Sequence, residues 1–269
     1  MSRVIAVAVQ HTSVPLDVEG NRGRLETHLR EVADEGAELV VLPELAVTGY
    51  TLSPTLARLA EDVPGPTSRW LCSLSAELGL TVVTTLAATG DTGLRNLGVI
   101  VTPEGVAATA AKRGLWGDEP ALFARGGPQE QAVADTPVGR VGVAICYEAG
   151  FPEAVRRLAR DRAEIVAVPA AFGAARLHAW ALLTRSRALE NGCYVVAANQ
   201  TGTGSAPESI AFCGHSTIVA PTGEPLAVLA EGEGRVRATI DASSVVDARA
   251  AIPYLADLHH VTAIPHPTT

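Results

Sequence analysis

The chain has 269 residues, 47% of them hydrophobic and only 4% aromatic, which is enough for one α/β domain with a large aliphatic core. Its formal net charge of −8 and the lack of a basic stripe argue against a nucleic-acid-binding surface. No apolar run approaches the ~18 residues of a membrane span, and no charged-then-apolar signal segment opens the chain, so we expect no membrane partner. The cysteines are scattered, which favours a reduced, cytoplasmic protein.

The first predicted elements form a strand–helix–strand unit. Residues 3–9 are an apolar run typical of a buried strand, residues 21–35 carry apolar side chains at helical spacing up to Gly36, and residues 38–42 form a second buried strand. This order predicts that the two strands are parallel. Ligand sites in such sheets lie beyond the carboxyl ends of the strands, which is the position of Glu44.

The middle of the chain continues to alternate helix and strand and then becomes irregular. Residues 70–78 are predicted to form a helix that ends at Gly79, and residues 102–105, Thr-Pro-Glu-Gly, have the composition of a β-turn. The segment 113–128 is rich in glycine and proline and is predicted to be a loop. The predicted strands of this part are 81–87, 97–101 and a run of small residues that ends at Lys112.

The second half of the chain echoes the first. Residues 141–145 are predicted to form a strand buried on both faces, and Pro152 with Glu153 has the composition of a helix start. Ala37-Glu-Leu-Val-Val-Leu-Pro43 and Ala163-Glu-Ile-Val-Ala-Val-Pro169 align residue for residue, each after a helix. This echo suggests two similar α/β halves around a pseudo-twofold axis.

The last part of the chain is predicted to contain one long helix, short strands and an irregular end. From about residue 251 onward, three prolines favour irregular structure. No linker divides the sequence, so we expect one domain over residues 1–269. The predicted elements here are strands 164–168, 194–198, 216–220 and 235–240, a helix over 177–191 and a turn over 222–225.

Cys146 stands at the strand-to-helix turn of the second half, where a nucleophile would be placed. Orphan backbone N–H groups at such a turn favour thiolate over thiol. The ordinary interpretation of a free cysteine is a small core residue, and Cys72, Cys193 and Cys213 keep that interpretation.

Glu44 and Lys112 also follow predicted strands. A thiol nucleophile needs a base that takes its proton and later activates water, and a carboxylate such as Glu44 can serve both steps. A lysine beside it could stabilise an oxyanion, and Glu119 could orient that lysine or the leaving group. Each of these residues alone is more simply a solvated charge, but together with Cys146 they predict one catalytic crevice.

Other chemistries have weaker support. The seven histidines show no metal-ligand spacing and no phosphate-binding glycine motif is present, so no cofactor or metal is predicted. A Cys–His dyad with His11, His178 or His215 stays open, because no local signature favours any of them.

With these residues in place, the chain closely resembles the nitrilase superfamily of carbon–nitrogen hydrolases over nearly its whole length. The matching motifs, in family order, are Leu42-Pro-Glu-Leu45 for the glutamate motif, Lys112 with Leu115 and Glu119 for the lysine loop, Gly142–Glu148 with Phe151–Glu153 for the cysteine elbow, and the later landmarks Arg187–Asn191, Ala198-Asn199 and Phe212–Ser216.

The resemblance implies a four-layer αββα sandwich that forms a homodimer or a higher homo-oligomer. It also implies roles for single residues: Glu44 as general base, Lys112 as oxyanion stabiliser and Cys146 as nucleophile. Glu119 would be a second, positioning carboxylate, and the backbone N–H of Tyr147 would complete the oxyanion site.

Within the family, the residue after the cysteine indicates the branch. Tyr147 is more like amidases and carbamoylases than true nitrile hydrolases, which commonly have tryptophan there. We therefore expect hydrolysis of a small linear amide or N-carbamoyl amine through a thioester, with release of ammonia. Ala170, Ala171 and Phe172, at the echo position of Glu44, are expected to line the acyl pocket. Gly114, where many members carry histidine, is expected to leave one side of the lysine loop open.

Three alternatives accompany this hypothesis. An acyl-transfer enzyme on the same scaffold would let an amine rather than water intercept the thioester. A nitrile hydrolase would use the same nucleophile on a different substrate. A non-catalytic binding module is disfavoured, because all four candidate catalytic residues are present.

Overall fold

The computed structural model describes residues 3–130, 132–203 and 210–262, and two six-stranded sheets organise this part of the chain. The strands are β1 (Val4–Gln10), β2 (Leu39–Val41), β3 (Thr81–Ala88), β4 (Arg95–Thr102), β5 (Gly105–Ala111), β6 (Val133–Thr136), β7 (Gly139–Val143), β8 (Ile165–Ala170), β9 (Tyr194–Asn199), β10 (Thr201–Thr203), β11 (Ala211–Cys213), β12 (Thr217–Val219), β13 (Pro225–Val228) and β14 (Gly234–Ile240). The helices are α1 (Val18–Asp34), α2 (Pro66–Leu78), α3 (Pro152–Arg160), α4 (Leu177–Asn191), α5 (Ala242–Ala251) and α6 (Tyr254–Thr262).

Both six-stranded sheets follow the same plan. The strand order is β14-β1-β2-β3-β4-β5 in one sheet and β13-β12-β9-β8-β7-β6 in the other. Three parallel strands form the centre of each sheet, and antiparallel strands flank them on both sides. The echo in the sequence falls on β2 and β8, the middle parallel strands, so the prediction of two similar halves is confirmed.

The two sheets face each other, and helices cover their outer faces. Along β1, Ala6 and Ala8 pack into the core between the sheets, whereas Val7 and Val9 pack against α1 and α2. Helices α3 and α4 lie against β7, β9 and β12 of the second sheet. The layers are therefore helix, sheet, sheet, helix, which is the predicted αββα sandwich. Burial of the central strands on both faces explains their continuous apolar sequences.

Short-range signals define the helix ends. Asp17 caps α1 because its carboxylate accepts the Gly20 N–H at 3.0 Å, so the helix begins before the predicted start at Asn21. Helix α4 has the predicted bounds and ends at Gly192, whose φ of 52° is left-handed. Within the described residues, the helices are all too short or too polar to cross a membrane.

The structure corrects the prediction in two regions. The chain after residue 251 is not irregular as far as Thr262, because it forms α6. Pro253 immediately precedes this helix, where its missing N–H has no cost, and its carbonyl accepts the Asp257 N–H at 3.0 Å. Residues 263–269, with the other two prolines, lie outside the described residues. Strands β6, β10, β11 and β13 were not predicted, because three or four residues are too few for a periodic signal.

Candidate active site

Three strand ends bring the predicted catalytic residues together. Glu44 follows β2, Lys112 follows β5 directly, and Cys146 follows β7. The first two side chains are 0% and 1% exposed, and Cys146 is 7% exposed. The nucleophile comes from the second sheet and the two charged groups from the first, so the site forms only when the sheets pack.

The Glu44 carboxylate is held by donors from both halves of the molecule. Its Oε1 accepts hydrogen bonds from Lys112 Nζ and Asn96 Nδ2, each at 2.7 Å. Its Oε2 accepts the backbone N–H of Ala171 at 3.0 Å. The backbone is held as well, since the Glu44 carbonyl accepts Gln200 Nε2 at 2.9 Å. These contacts fix the carboxylate in one orientation.

Burial raises the pKa of Glu44. The Lys112 ammonium opposes this shift, the Glu119 charge adds to it, and the net direction is upward. The sequence left the sign of this shift open, because it depends on how completely the carboxyl loses water. A carboxylate with a raised pKa is a stronger base, which suits proton transfer from a thiol.

Lys112 lies between two carboxylates. Its Nζ donates to Glu44 Oε1 and to Glu119 Oε1, both at 2.7 Å. Burial by itself lowers the pKa of Lys112, but nearby negative charge, Glu44 foremost, outweighs burial and raises it, so the side chain is a cation. Glu119 is held in turn by the Tyr50 hydroxyl at 2.8 Å and by the Trp116 N–H at 2.7 Å.

Cys146 occupies a strained turn. Its φ is +48°, in the left-handed region that non-glycine residues rarely adopt, and it begins a 3₁₀ turn over Cys146–Gly150. The Glu148 carboxylate stabilises this turn by accepting the Ile145 N–H at 2.9 Å and the Arg113 N–H at 2.7 Å. One side chain thus ties the cysteine turn to the loop that follows Lys112.

The protonation state of Cys146 differs from the prediction. Burial raises the pKa of Cys146 well above its usual value, Glu44 adds to the shift, and Lys112 opposes it. The expectation that the turn favours thiolate is therefore wrong for this state of the protein. Desolvation of the sulfur outweighs the turn, and the thiol needs a base such as Glu44, whose charge acts on it.

A cleft of about 240 Å³ opens onto these groups. The predicted residues Tyr147, Ala171 and Phe172 line it, but Ala170 does not. Ala170 is fully buried because it pairs with Asn199 of β9, and it serves the site through its carbonyl. The complete lining consists of Tyr50, Lys112, Trp116, Glu119, Cys146, Tyr147, Ala171, Phe172 and Arg176.

Several residues of the site were not found from the sequence. Tyr50, Trp116 and Arg176 line the cleft, and Asn96 contacts Glu44 from β4. None of them lies in a local pattern that points to chemistry, since their neighbours in the site come from distant segments. Only the echo between the two halves indicated that the chain after β8 would face Glu44.

The lysine loop is closed where an opening was expected. A side chain at Gly114 would lie 3.2 Å from Glu148 and 3.3 Å from the Phe151 ring. Phe151 in turn packs edge-to-face on Tyr147, with ring centroids 5.1 Å apart. The missing side chain at Gly114 is thus compensated by an aromatic residue from the cysteine elbow.

The alternative residues for catalysis lie elsewhere. His11, His178 and His215 are not among the residues that line the cleft, so the Cys–His dyad is not supported. Cys193 and Cys213 are also buried away from it, and burial raises the pKa of their thiols to about 12 and about 11.

An αββα sandwich with buried Glu44, Lys112 and Cys146 after its strands, and with buried Glu119 in the loop after Lys112, defines an enzyme of the nitrilase fold. Residues 5–250 match the family model for carbon–nitrogen hydrolases. The chain belongs to this family, on its amidase-like side, and is a hydrolase that acts on C–N bonds.

Individual relatives agree with this assignment. The chain is 35% identical over 272 residues to deaminated glutathione amidase of Bos taurus, covering 94% of this chain and 81% of that protein. It is 32% identical over 232 residues to 2-oxoglutaramate amidase of Bacillus subtilis (strain 168), covering 85% and 87%. A mutant of the amidase from Nesterenkonia sp. AN1, solved with covalent addition of the acetamide moiety of fluoroacetamide at the active-site cysteine, is 26% identical, with a TM-score of 0.82 and 97% of both chains covered.

Proposed function

We propose that this hydrolase cleaves small linear amides, or N-carbamoyl amines, through a thioester on Cys146 and releases ammonia. The observation that carries the proposal is the position of the Glu44 carboxylate. It accepts Lys112 Nζ at 2.7 Å, its charge acts on the Cys146 thiol, and all three side chains are buried. The nucleophile and the cation thus line one small cleft, and the base lies directly behind the cation.

In the first step, the Cys146 sulfur attacks the carbonyl carbon of the amide, and a C–S bond forms. Glu44 accepts the thiol proton as the sulfur becomes nucleophilic. Because the pKa values of Glu44 and Cys146 are both raised, the proton moves to Glu44 as the sulfur attacks, and the thiol does not ionise beforehand. When the tetrahedral intermediate collapses, the C–N bond breaks, and the nitrogen leaves as ammonia with the proton that Glu44 returns.

The negative charge on the former carbonyl oxygen needs donors. Lys112 Nζ supplies a fixed cation at the cleft, and two carboxylates hold it in place. Tyr147 follows Cys146 at the start of the 3₁₀ turn, where the first N–H groups have no acceptor within the turn. Its backbone N–H is the second donor in the proposal.

The second step reverses these roles. A water molecule attacks the thioester carbon while Glu44 takes a proton from it. The C–S bond then breaks, the acid product leaves, and the sulfur regains its proton. The net reaction consumes one amide and one water and forms one carboxylic acid and one ammonia.

The relatives support an amide more than the alternatives. Two of them carry the names of amidases, and a mutant of the Nesterenkonia amidase carries the acetamide moiety of fluoroacetamide on its active-site cysteine, which shows that this cysteine reacts as a nucleophile. A nitrile would first form a thioimidate, which requires protonation at nitrogen and gains nothing from an oxyanion site. N-carbamoyl amines carry a carbonyl with a terminal –NH2 group, so the same steps release ammonia and form a carbamic acid in place of the carboxylic acid, and these compounds stay within the proposal.

The test compares amides, N-carbamoyl amines and nitriles with matched acyl groups by ammonia release. Amides or carbamoyl amines are expected to give a higher kcat/KM than the matching nitriles. Cys146→Ala is expected to abolish turnover with an unchanged circular dichroism spectrum, and intact mass spectrometry of the wild type should detect the acyl group on Cys146.

Cys193→Ala is the matched control, because it removes a buried thiol outside the cleft. It should retain activity near that of the wild type. A folded Cys146→Ala protein that still releases ammonia would remove the thioester from the proposal. If added amines divert the acyl group in preference to water, the enzyme is an acyltransferase instead.

We also propose that the protein is a homodimer or a higher homo-oligomer. Large apolar side chains are exposed on the outer helices: Leu182 of α4 at 66%, Val246 of α5 at 66% and Tyr254 of α6 at 50%. Helices α4 and α6 contact each other, so their exposed apolar side chains belong to one outer layer that a second copy of the chain could cover. Light scattering of the wild type and of Leu182→Glu should show an oligomer that the variant weakens, and a monomeric wild type would contradict the proposal.

A further inference from the structure

Arg176 lies in the cleft but has no part in the reaction described above. It ends the 3₁₀ turn Ala174–Arg176 that follows β8, and it lines the cleft together with Cys146 and Lys112. Its guanidinium carbon lies 4.2 Å from the centroid of the Trp116 ring and 5.3 Å from that of Phe172. Two aromatic residues thus hold a positive charge at the cleft.

The charge of Arg176 has no carboxylate partner within ion-pair distance among residues 3–130, 132–203 and 210–262. Arg22 offers a comparison, because it also stacks on a tryptophan, Trp70, at 5.0 Å. Arg22, however, pairs with Glu19 at 3.5 Å. A half-buried arginine without a carboxylate partner retains donors for a ligand.

The two carboxylates of the site, Glu44 and Glu119, do not pair with the positive charge of Arg176. Glu44 and Glu119 already share Lys112 and accept further hydrogen bonds from Asn96, Tyr50 and backbone N–H groups. Stacking uses the flat face of a guanidinium and leaves the N–H groups on its edge available. An arginine edge recognises a carboxylate with two parallel hydrogen bonds.

We propose that Arg176 binds a carboxylate of the substrate, at the end away from the amide. This inference rests on the proposed function, and it narrows the substrate class to short dicarboxylic acids in which one carboxyl is an amide. Arg176, Lys112 and Cys146 line the same small cleft, so a substrate that spans from the nucleophile to Arg176 is a short chain. The distance between Arg176 and Cys146 along the cleft then selects the chain length.

The test uses two pairs of substrates that differ only in the terminal carboxylate: glutaramate with pentanamide, and succinamate with butanamide. The wild type is expected to prefer the acid amide of at least one pair in kcat/KM, mainly through a lower KM. In Arg176→Gln this preference should fall by roughly 10- to 100-fold, as expected for loss of hydrogen bonds to a charged group. The change should appear in KM more than in kcat, since Arg176 does not touch the reacting atoms.

Two further variants separate recognition from folding. Arg176→Lys keeps the charge but loses the planar pair of donors, so it should recover only part of the preference. Arg22→Gln removes the matched tryptophan-stacked arginine outside the cleft and should leave the preference at the wild-type value. If Arg176→Gln lowers kcat/KM by the same factor for both substrates of each pair, Arg176 only supports the shape of the cleft, and the inference is wrong.

A binding measurement separates this inference from the proposed function. Glutarate is titrated calorimetrically into Cys146→Ala and into Cys146→Ala/Arg176→Gln, and binding to the first but not to the second is expected. If amides are not hydrolysed but glutarate binds through Arg176, the proposed function fails and the inference stands. If amides are hydrolysed while neither glutarate binding nor KM depends on Arg176, the inference fails alone.

Discussion

The chain after β2 and the chain after β8 have the same plan and different chemistry. In the first half, Pro43 precedes Glu44, whose carboxylate contacts Lys112. At the echo position of the second half, Pro169 precedes Ala170, whose carbonyl accepts the Glu44 N–H at 3.3 Å. The next residue, Ala171, donates its backbone N–H to Glu44 Oε2 at 3.0 Å. One half provides the base, and the other half holds it.

This difference shows what pseudo-twofold packing provides to an active site. Equivalent strand ends of the two sheets meet face to face, so the backbone of one half can orient a side chain of the other. Small residues such as Ala171 allow that approach, because a bulky side chain would occupy the cleft. The second half then contributes its own reactive group, Cys146, from the neighbouring strand β7.

The largest effect is expected from removing the base of the first half. Glu44→Gln keeps the volume and one hydrogen-bond acceptor but cannot take a proton. If Glu44 serves both steps, kcat/KM should fall by roughly 10²-fold or more. The matched control is Glu164→Gln. Glu164 is the partly buried residue that corresponds to Glu38 in the second half, and its carboxylate accepts the Arg140 N–H. A Glu44→Gln enzyme within tenfold of the wild type would show that another group is the base.

Next in size, Lys112→Arg tests whether the first half supplies only charge. Arginine keeps the positive charge, but its longer planar group cannot occupy the position of Nζ between Glu44 and Glu119. We expect a loss of about 10²-fold in kcat, nearly as large as for Lys112→Ala. An active Lys112→Arg enzyme would mean that charge alone suffices, and the oxyanion role would have to be withdrawn.

A smaller effect is expected at the junction of the halves, where His11 follows β1 and bridges Gln200 after β9. Its ring is 0% exposed, and burial lowers the pKa of His11 from 6.5 to about 4, with Glu233 opposing the shift and His28 and Arg24 adding to it. The folded state therefore disfavours protonation of His11. Stability from the neutral ring is complete above pH 6.5 and is lost as the pH falls towards 4, by about 3 kcal/mol in total.

Urea unfolding between pH 7.5 and pH 5 measures this effect. The free energy of unfolding of the wild type should fall over this range, and His11→Asn should fall less, whatever its absolute stability. His178→Asn, at an exposed histidine of α4, should keep the wild-type slope. Equal slopes for His11→Asn and the wild type would assign the acid sensitivity to other groups, such as His28, whose pKa burial also lowers.

The fold is predictable from the sequence where the controlling forces act over a few residues. Apolar runs identified the central strands, α4 has the predicted bounds 177–191, and the echo of β2 in β8 indicated the two halves. Helix α6 differs from the prediction, because Pro253 lies just before the helix start, where a proline does not interrupt a helix. Short strands such as β13 were also missed, since their pairing with a neighbouring strand is what defines them.

The sequence by itself was enough to predict Glu44, Lys112, Cys146 and Glu119 as candidate site residues and to place the first three after strands, because motif spacing and strand periodicity are local properties. Only the tertiary structure decided the directions in which the pKa values of Glu44 and Cys146 move, since desolvation depends on atoms from both sheets. It also decided that Ala170 lies behind the cleft and that Arg176 lies in it. These outcomes depend on contacts between residues far apart in the chain, which no local pattern encodes.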